Sequence, residues 1–587
     1  MEANHSEDTI ECEVVCFTAS VFAIGFVVIT QPSRSFATSG NASKALAPNS
    51  VAWGKQREGE ALKQAQKEAW AGAFRSQTEE YDYQITEIEG EIPAGLRGST
   101  LFRNGPSRFE RGESRVSHYL DGDGYLAKIA FSPEGEAYFS SRFVKTAEHE
   151  REKSENTFCY RTTFGNAGKP LANVLDLYLK NPANTHVVHW GEKLWALYEA
   201  GAPYRVDPYS LETLGAEDFK GALNNSPLPK SKLEALKRRS KGQQAMTAHP
   251  HVDPVRDRLI TWTWGMEVSV GKPNRLVIEL SEYDAQWTLK SRLKYRMPGA
   301  AVNPHDFALT ENYYVFFENA LSFSILPYLL GKKSPADCLK LLAKPTKVHV
   351  IPRPDGDRAN DSPFVLETEQ WFSIHQACAF ERADGCLEVY SSGWPATEGG
   401  FLTSWGGYAP DFDAIAPTYL WQTVIDPGAR TPGARTPSAR TPSARTLTHQ
   451  IAPGTEGDCI AHPHVNPLME TRPCRYFYMP YCNSIGESSP PTGYMRLDLQ
   501  TQEKQIWSTH PQSFAEEPVI APNPESQREE DGWLLGLMYD YLEDRSSLVI
   551  FETADIAKGP VCRLWLTHHL AHGLHGSWVG QYFGPLI

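Results

Sequence analysis

The sequence has no excess of positive charge and no dense set of cysteines. Its 57 Lys and Arg residues are outnumbered by 71 Asp and Glu residues, which gives a formal net charge of -14. Nucleic-acid-binding surfaces concentrate Lys and Arg, so this balance argues against a nucleic-acid partner. The ten cysteines are scattered, with no CxxC pair, in a chain large enough to fold without disulfides. We therefore expect reduced, mostly structural cysteines.

Long helical patterns are also missing after about Tyr81. Short runs rich in β-branched and aromatic residues alternate instead with clusters of Gly, Pro, Asn and Asp, for example in residues 257–266, 274–284 and 546–555. Such runs are typical of strands separated by turns. Many short strands over roughly 500 residues predict an all-β fold, and a β-propeller with about 40 to 50 residues per blade is the architecture that suits this length.

The N-terminal extension, residues 1–77, precedes the propeller domain, which we place at residues 78–587. Residues 14–30 are apolar, but the residues before them carry five acidic side chains and no Lys or Arg, the opposite of a signal peptide. We weigh three interpretations: a cleaved signal or transit sequence, a membrane anchor, and a start site assigned too far upstream. Residues 51–77 are polar and helical in pattern, and we expect a solvated helix or linker there.

Residues 428–448 repeat a five-residue ARTP unit. Proline and small polar residues cannot bury much apolar surface. The repeat therefore predicts a disordered surface loop inserted between strands, with a phosphorylated or basic docking segment as the alternative.

Four histidines each stand at the edge of a strand-like run and are candidate metal ligands: His249, His305, His375 and His575. They lie too far apart in the sequence to form a local motif. Only a closed architecture could gather them, and a propeller does so because the inner strand of every blade faces one axis. From spacing alone, each histidine is better interpreted as a structural or surface residue.

Several longer segments carry a resemblance to a known family: residues 102–131, AHPHVDP at 248–254, HDFALT at 305–310, HQACAFE at 375–381, EEDGWLLGLMYD at 529–540 and LHGSW at 574–578. From about residue 81 to 578 the chain resembles the carotenoid cleavage oxygenases, with the cyanobacterial apocarotenoid oxygenases as the nearest branch. The resemblance implies a seven-bladed β-propeller with a helical cap over the metal face. It also implies Fe(2+) held by the four histidines above.

The resemblance implies further site residues around the metal. Glu199 and Glu517 correspond to carboxylates that accept the second ring N–H of a ligating histidine, and Thr185 corresponds to a threonine close to the open coordination position. The third such carboxylate falls one residue out of register, and Glu456 is offered for it. The remaining histidines nearby are expected to be structural or solvent-facing: His251, His462, His464, His568, His569 and His572. One departure is Cys378, which stands where the family has asparagine.

The activity implied is that of a non-haem iron dioxygenase, which cleaves a C=C double bond of a carotenoid or apocarotenoid with O2 and releases retinal-like aldehydes. Neutral imidazoles suit iron, and four of them leave one or two of six positions open for oxygen. Two alternatives remain open, a dioxygenase that cleaves a stilbene-type double bond and a catalytically inactive propeller that binds carotenoid. A retinoid isomerase is less favoured.

An apolar polyene substrate has to be taken from lipid. Residues 320–331 are apolar and are followed by Lys332 and Lys333, a composition typical of an interfacial anchor. The family resemblance favours shallow membrane insertion of this segment over a buried loop helix. We expect a peripheral protein on the cytoplasmic face of a membrane, with thylakoid and plastid membranes among the candidates.

Overall fold

Seven small antiparallel β-sheets form the body of the protein in a computed structural model. The structure describes residues 50–165, 173–176, 178–217, 245–267, 275–298, 300–395, 408, 412–428, 445–483 and 488–585. We number the sheets as blades 1 to 7 in chain order and give their strands below.

Blade 1 contains Asp82–Ile85, Ser99–Arg108, Asp123–Phe131, Ala137–Phe143 and Gly576–Val579. Blade 2 contains His186–Trp190, Lys193–Leu197, Tyr204–Val206 and Thr213–Ala216. Blade 3 contains Ala245–Met246, His251–Asp253, Arg258–Glu267, Arg275–Tyr283 and Leu289–Pro298. Blade 4 contains Ala308–Leu309, Tyr313–Glu318, Lys347–Pro352 and Phe364–Glu367.

Blade 5 contains Trp371–Glu381, Leu387–Pro395, Tyr419–Asp426 and Thr446–Ile451. Blade 6 contains Tyr476–Cys482, Pro491–Asp498 and Lys504–Ser508. Blade 7 contains Ile88–Gly90, Ser513–Ala515, Val519–Pro522, Gly532–Asp540, Arg545–Glu552 and Cys562–Trp565. Two minor hairpins pair Glu110–Arg111 with Ser114–Arg115 and Leu321–Phe323 with Leu339–Leu341.

Alternation of side chains along the strands explains how the blades pack. In blade 3, Leu259 belongs to the apolar cluster shared with blade 2, whereas Ile260 and Trp262 belong to the cluster shared with blade 4. Successive residues of a strand point to opposite faces of the sheet, so an almost continuously apolar strand can be buried on both faces. Corresponding apolar clusters lie between all seven pairs of neighbouring blades, which closes the ring.

The two ends of the domain complete each other's blades. The C-terminal strand Gly576–Val579 pairs with Ser99–Arg108 at the inner edge of blade 1. Near the start of the domain, the strand Ile88–Gly90 pairs with Cys562–Trp565 at the outer edge of blade 7. Because the two ends of the domain pair in this way, the ring of blades is closed between blades 1 and 7.

In the described part of the chain, three α-helices and several short 3-10 helices lie outside the blades. The α-helices are α1 (Ser50–Gly72), α2 (Ala147–Glu155) and α3 (Ile325–Leu329). The 3-10 helices are Ala94–Leu96, Tyr119–Asp121, Ala336–Cys338, Phe412–Ala414, Pro467–Met469 and Ile556–Lys558. The end of α1 differs from the solvated helix that we expected, because Trp70 and Phe74 are buried among Tyr119, Phe514 and other aromatic residues.

Two segments singled out in the sequence fall wholly or mostly outside the described residues. These are the apolar stretch 14–30 and the ARTP repeat, of which 429–444 are not described. Within the described part of the chain, no helix is long and apolar enough to cross a membrane. The eight cysteines in that part are all free.

Candidate metal centre

The structure brings the four candidate ligands together at the axis of the propeller. His249 lies between the two short first strands of blade 3, and His305 lies just before the first strand of blade 4. His375 lies within the first strand of blade 5, and His575 immediately precedes the closing strand of blade 1. Each residue therefore lies on or next to a strand at the inner edge of its blade, although the four are widely separated in the sequence.

The imidazole rings are close enough to share one ion. The ring centroid of His249 lies 4.5 Å from that of His305, 5.2 Å from His375 and 4.7 Å from His575. The Nε2 atoms of His249 and His305 are 3.0 Å apart. Two nitrogens bound at right angles, each about 2.1 Å from one ion, would lie about 3.0 Å apart. Ligand nitrogens of His249, His375 and His575 all lie within 4.8 Å of one another, so these three fit a single metal ion, and His305 adjoins them through His249.

Two carboxylates orient two of the rings. Oε2 of Glu199 lies 2.7 Å from Nδ1 of His305, and Oε1 of Glu517 lies 2.7 Å from Nδ1 of His575. A carboxylate accepts hydrogen bonds, so each Nδ1 carries the proton and each Nε2 keeps its lone pair. These contacts are the ones that the family resemblance implies for both glutamates, and they prepare Nε2 of each histidine to bind a metal.

Burial and neighbouring charges shift the pKa values of these groups in different directions. Burial, reinforced by the neighbouring imidazoles, holds the pKa of His249 and of His375 well below the usual value. At His305, burial acts in the same direction, but the carboxylate of Glu199 outweighs it and raises the pKa. Burial would raise the pKa of Glu517, yet His575 and His464 hold it well below its usual range. Neutral imidazoles beside an ionised carboxylate are the protonation states that a metal requires.

The structure places Thr185 near the histidines but places Glu456 away from them. Thr185 borders the cavity described below, and its carbonyl oxygen accepts a hydrogen bond from the backbone N–H of His575 at 3.2 Å. Glu456 is exposed, and its carboxylate accepts the backbone N–H of Gly454 at 3.0 Å, within its own turn. The structure does not bring Glu456 to the histidines, because it lies in the turn that follows blade 5.

Two histidines that we expected to be structural or solvent-facing belong to the same cluster. The ring of His462 lies 4.7 Å from that of His375, and its Nδ1 is buried without a hydrogen-bond partner. Nε2 of His464 lies 2.7 Å from Oε1 of Glu517. Among the described residues, no carboxylate forms a hydrogen bond with His375, and the ring of His462 lies beside it instead.

A sequence signal for these two histidines existed. The phrase HPHVNP, from residue 462, nearly duplicates HPHVDP, from residue 249. In the structure, His251 pairs with Ile260 of blade 3, and His464 forms the corresponding antiparallel bridge with Tyr478 of blade 6. The two phrases therefore occupy equivalent positions in two blades. As a result, every blade contributes a side chain to the cluster around the axis.

A cavity of about 380 Å³ opens beside the histidines. Its walls include residues of the histidine cluster and its surroundings, namely Thr185, Glu199, His305, His375, Glu517 and His575. The other walls are mainly apolar and come partly from the helices, with Trp70, Tyr119, Phe164, Leu339, Phe372 and Trp394 among them. Apolar walls with a few convergent polar groups are typical of small-molecule sites. Cys378 is not part of this wall; it is buried with its Sγ 2.6 Å from that of Cys474.

Known proteins identify the family. A family model described as Retinal pigment epithelial membrane protein matches residues 74–580, most of the chain. The chain belongs to this family. It is 32% identical to the Apocarotenoid-15,15'-oxygenase of Synechocystis over 520 residues, which cover 87% of this chain and 96% of that protein. It is 28% identical to the rice Carotenoid cleavage dioxygenase 7, chloroplastic, over 86% of this chain and 90% of that protein.

Solved structures of the family confirm the fold, and one of them is a cobalt-substituted form. A cobalt-substituted form of the Synechocystis oxygenase is similar with a TM-score of 0.74 at 32% identity, covering 87% of this chain and 98% of that chain. The predicted seven-bladed propeller is thus confirmed. Three variants of that oxygenase alter a threonine, a tryptophan and a glutamate. Their spacing along the chain equals that of Thr185, Tyr198 and Glu199.

Proposed function

We propose that the protein is a non-haem Fe(II) dioxygenase that cleaves a C=C double bond of a carotenoid or apocarotenoid. One O2 is consumed, and each of the two alkene carbons becomes an aldehyde carbon. The observation that carries this proposal is the convergence of four imidazoles beside an apolar cavity, with no carboxylate among the four. Such a donor set leaves coordination positions for oxygen, and the cavity suits an apolar chain.

In the proposed reaction, different residues hold the metal, orient its ligands and bind the substrate. His249, His305, His375 and His575 would hold the iron, which when bound supplies the redox chemistry of oxygen activation. Glu199 and Glu517 fix the orientation of two ligands through Nδ1. The aromatic and aliphatic walls exclude water and hold the polyene beside the metal, and that alignment of reacting groups lowers the barrier.

Identification of the products tests this function. Iron-loaded enzyme incubated with apocarotenals should yield two aldehydes per substrate cleaved, and mass spectrometry should find one atom from 18O2 in each after rapid reduction to the alcohols. The competing activity is cleavage of a stilbene-type double bond, the activity named for a 25% identical Sphingomonas lignostilbene dioxygenase. Turnover of stilbenes in place of apocarotenoids would favour that alternative. Retention of carotenoid without any product would favour an inactive binding propeller.

Substrate delivery from a membrane is part of the proposal. In α3 and the residue after it, the exposed fractions of Ile325, Leu326 and Leu330 are 53%, 57% and 43%. Lys332 and Lys333 are exposed beside them. The preceding strand contributes Leu321 to the cavity wall. An exposed apolar patch with a basic rim next to a lipophilic cavity supports shallow insertion into a lipid surface.

Removing this patch should weaken membrane binding. Serine in place of Ile325, Leu326 and Leu330 forfeits up to about 1.5 to 3 kcal/mol for each side chain that becomes fully buried in lipid, and less for shallow insertion. Vesicle co-sedimentation should fall, and cleavage of vesicle-borne substrate should fall more than cleavage of detergent-dispersed substrate. The matched control is Leu542→Ser, a change at a residue that is 67% exposed elsewhere. An equal loss of both activities would contradict the membrane proposal.

The two orienting carboxylates provide a separate prediction. Glu199→Gln and Glu517→Gln should each weaken metal binding or turnover by about 10- to 100-fold, because a glutamine is a weaker acceptor for the Nδ1–H of its histidine. Glu517 should show the larger effect, since it is buried and also contacts His464. Glu456→Gln is the matched control and should leave iron content unchanged. Normal kinetics in both test variants would contradict the proposed orienting contacts.

A further inference from the structure

A buried polar network joins the residues that follow three of the four histidines. Asp306 follows His305, Gln376 follows His375, and His251 stands two residues after His249. We propose that Asp306 is a positioning residue that sets the relative placement of the ligand segments of blades 3, 4 and 5. The inference rests on the metal site proposed above and goes beyond the two orienting glutamates.

The carboxylate of Asp306 contacts all three segments. Its Oδ2 accepts the backbone N–H of Gln376 at 2.7 Å, and its Oδ1 accepts the backbone N–H of Phe307 at 2.7 Å. Oδ1 also lies 3.3 Å from Nε2 of His251. The residue is only 5% exposed. One buried carboxylate thus connects blades 3, 4 and 5 at the level of the ligands.

His251 extends the network to a fourth blade. Its Nδ1 lies 3.1 Å from Oε1 of Glu470, in the segment that leads into blade 6. Both ring nitrogens of His251 therefore face carboxylate oxygens. The ring of His251 therefore connects the carboxylate of Asp306 with that of Glu470. Hydrogen bonds to charged groups are stronger than neutral ones, which makes this link between blades firm.

The contact with Gln376 falls where the strand is irregular. The pairing register between the first two strands of blade 5 shifts between Ser373 and His375 and again between Gln376 and Cys378. Bulges of this kind redirect side chains and are common next to active sites. The carboxylate of Asp306 holds the backbone N–H within this irregular stretch. We therefore attribute the direction of His375 in part to Asp306.

The fourth ligand is held by different groups. His575 contacts Glu517 through its ring, and its backbone N–H and carbonyl pair with Thr185 and Asn104. The site is thus built from one ligand fixed by blades 1, 2 and 7 and three ligand segments tied by Asp306. A displacement of about 1 Å between such groups is enough to impair a metal or catalytic site.

Cobalt binding tests the inference without using activity. Co²⁺ affinity is measured by chelator competition, and the visible absorption of bound Co²⁺ reports the geometry of its ligands. Asp306→Ala should weaken binding by about 10- to 100-fold and change the spectrum. Asp306→Asn should have an intermediate affinity, because its amide oxygen can accept the N–H of Gln376 but its NH2 group then faces the N–H of Phe307, which Oδ1 accepts in the wild-type protein.

Glu282→Gln is the matched control. Glu282 is also a buried carboxylate, but it pairs with Arg353 and Arg258 on blades 3 and 4 and touches no ligand segment. This variant should lower the melting temperature and leave Co²⁺ affinity and spectrum unchanged. If Asp306→Ala does not fold, His251→Gln serves in its place, since it removes the link to blade 3 and leaves the contact with Gln376; its affinity should fall and its spectrum should change.

The outcomes separate this inference from the proposed function. Unchanged affinity and spectrum in folded Asp306→Ala, or in His251→Gln where the alanine variant does not fold, would overturn the positioning role. A stability loss without a change in metal binding would do the same. If the wild-type protein itself failed to bind one Co²⁺ per chain, the metal site would be contradicted, and the role of Asp306 with it.

Discussion

Alanine in place of any one of the four converging histidines is expected to abolish stoichiometric iron binding and double-bond cleavage. Loss of a partner outside the ligand set typically costs 10- to 100-fold in metal affinity or activity, so loss of a ligand itself should exceed about 100-fold. The iron content of purified variants, measured by elemental analysis, checks the prediction for His249, His305, His375 and His575 separately.

A half-buried histidine outside the cluster, His572, supplies the control. His572 lines the same cavity and packs against Trp70, with ring centroids 5.1 Å apart. The variant His572→Ala should therefore retain one iron per chain, although it alters the cavity wall. Full iron content in any of the four test variants would remove that histidine from the site. His462→Ala is informative in addition, because a partial loss of iron would identify its ring as a partner of His375.

The propeller could be predicted because its signals are local and repeated. Alternating apolar and aromatic runs, such as residues 257–266 and 274–284, do form paired strands. Which strands close the ring could not be predicted, since the pairing of Ser99–Arg108 with Gly576–Val579 joins distant parts of the chain. Neither segment has a sequence pattern that indicates which strand it pairs with.

The sequence predicts the candidate metal ligands better than it predicts the residues that contact them. The four histidines carry recognisable local wording, and so do the segments of Glu199 and Glu517. Glu456 was chosen because it lies in a segment that matches the family pattern one residue out of register. In the structure, the ring of His462 lies beside His375 instead. Contacts such as that of Asp306 with His251 depend on which blades are neighbours. Such contacts appear only when the sheets have been assembled.

The second large effect is expected at Arg103, which connects the proposed metal site with the closure of the propeller. Its guanidinium donates to Oε2 of Glu517 at 3.0 Å, to Oε2 of Glu516 at 3.1 Å and to the carbonyl oxygen of Leu574 at 2.8 Å. All three charged side chains are 3% to 4% exposed. Arg103→Met leaves two buried carboxylates without their cation and should lower the free energy of unfolding by about 3 to 5 kcal/mol.

Arg103→Met should also weaken metal binding, and a second buried arginine separates this effect from the loss of stability. Arg353 pairs with Asp253 and with Glu282, and these three side chains are at most 1% exposed. Arg353→Met should therefore cost a similar 3 to 5 kcal/mol, approximately, but its partners contact none of the four ligands. Denaturant unfolding and Co²⁺ titration of both variants check the prediction. Arg103 contacts Glu517, which contacts His575, whereas Arg353 does not. The Arg103 variant alone should therefore lose metal affinity, and equal metal affinity in the two variants would show that Arg103 acts on the fold alone.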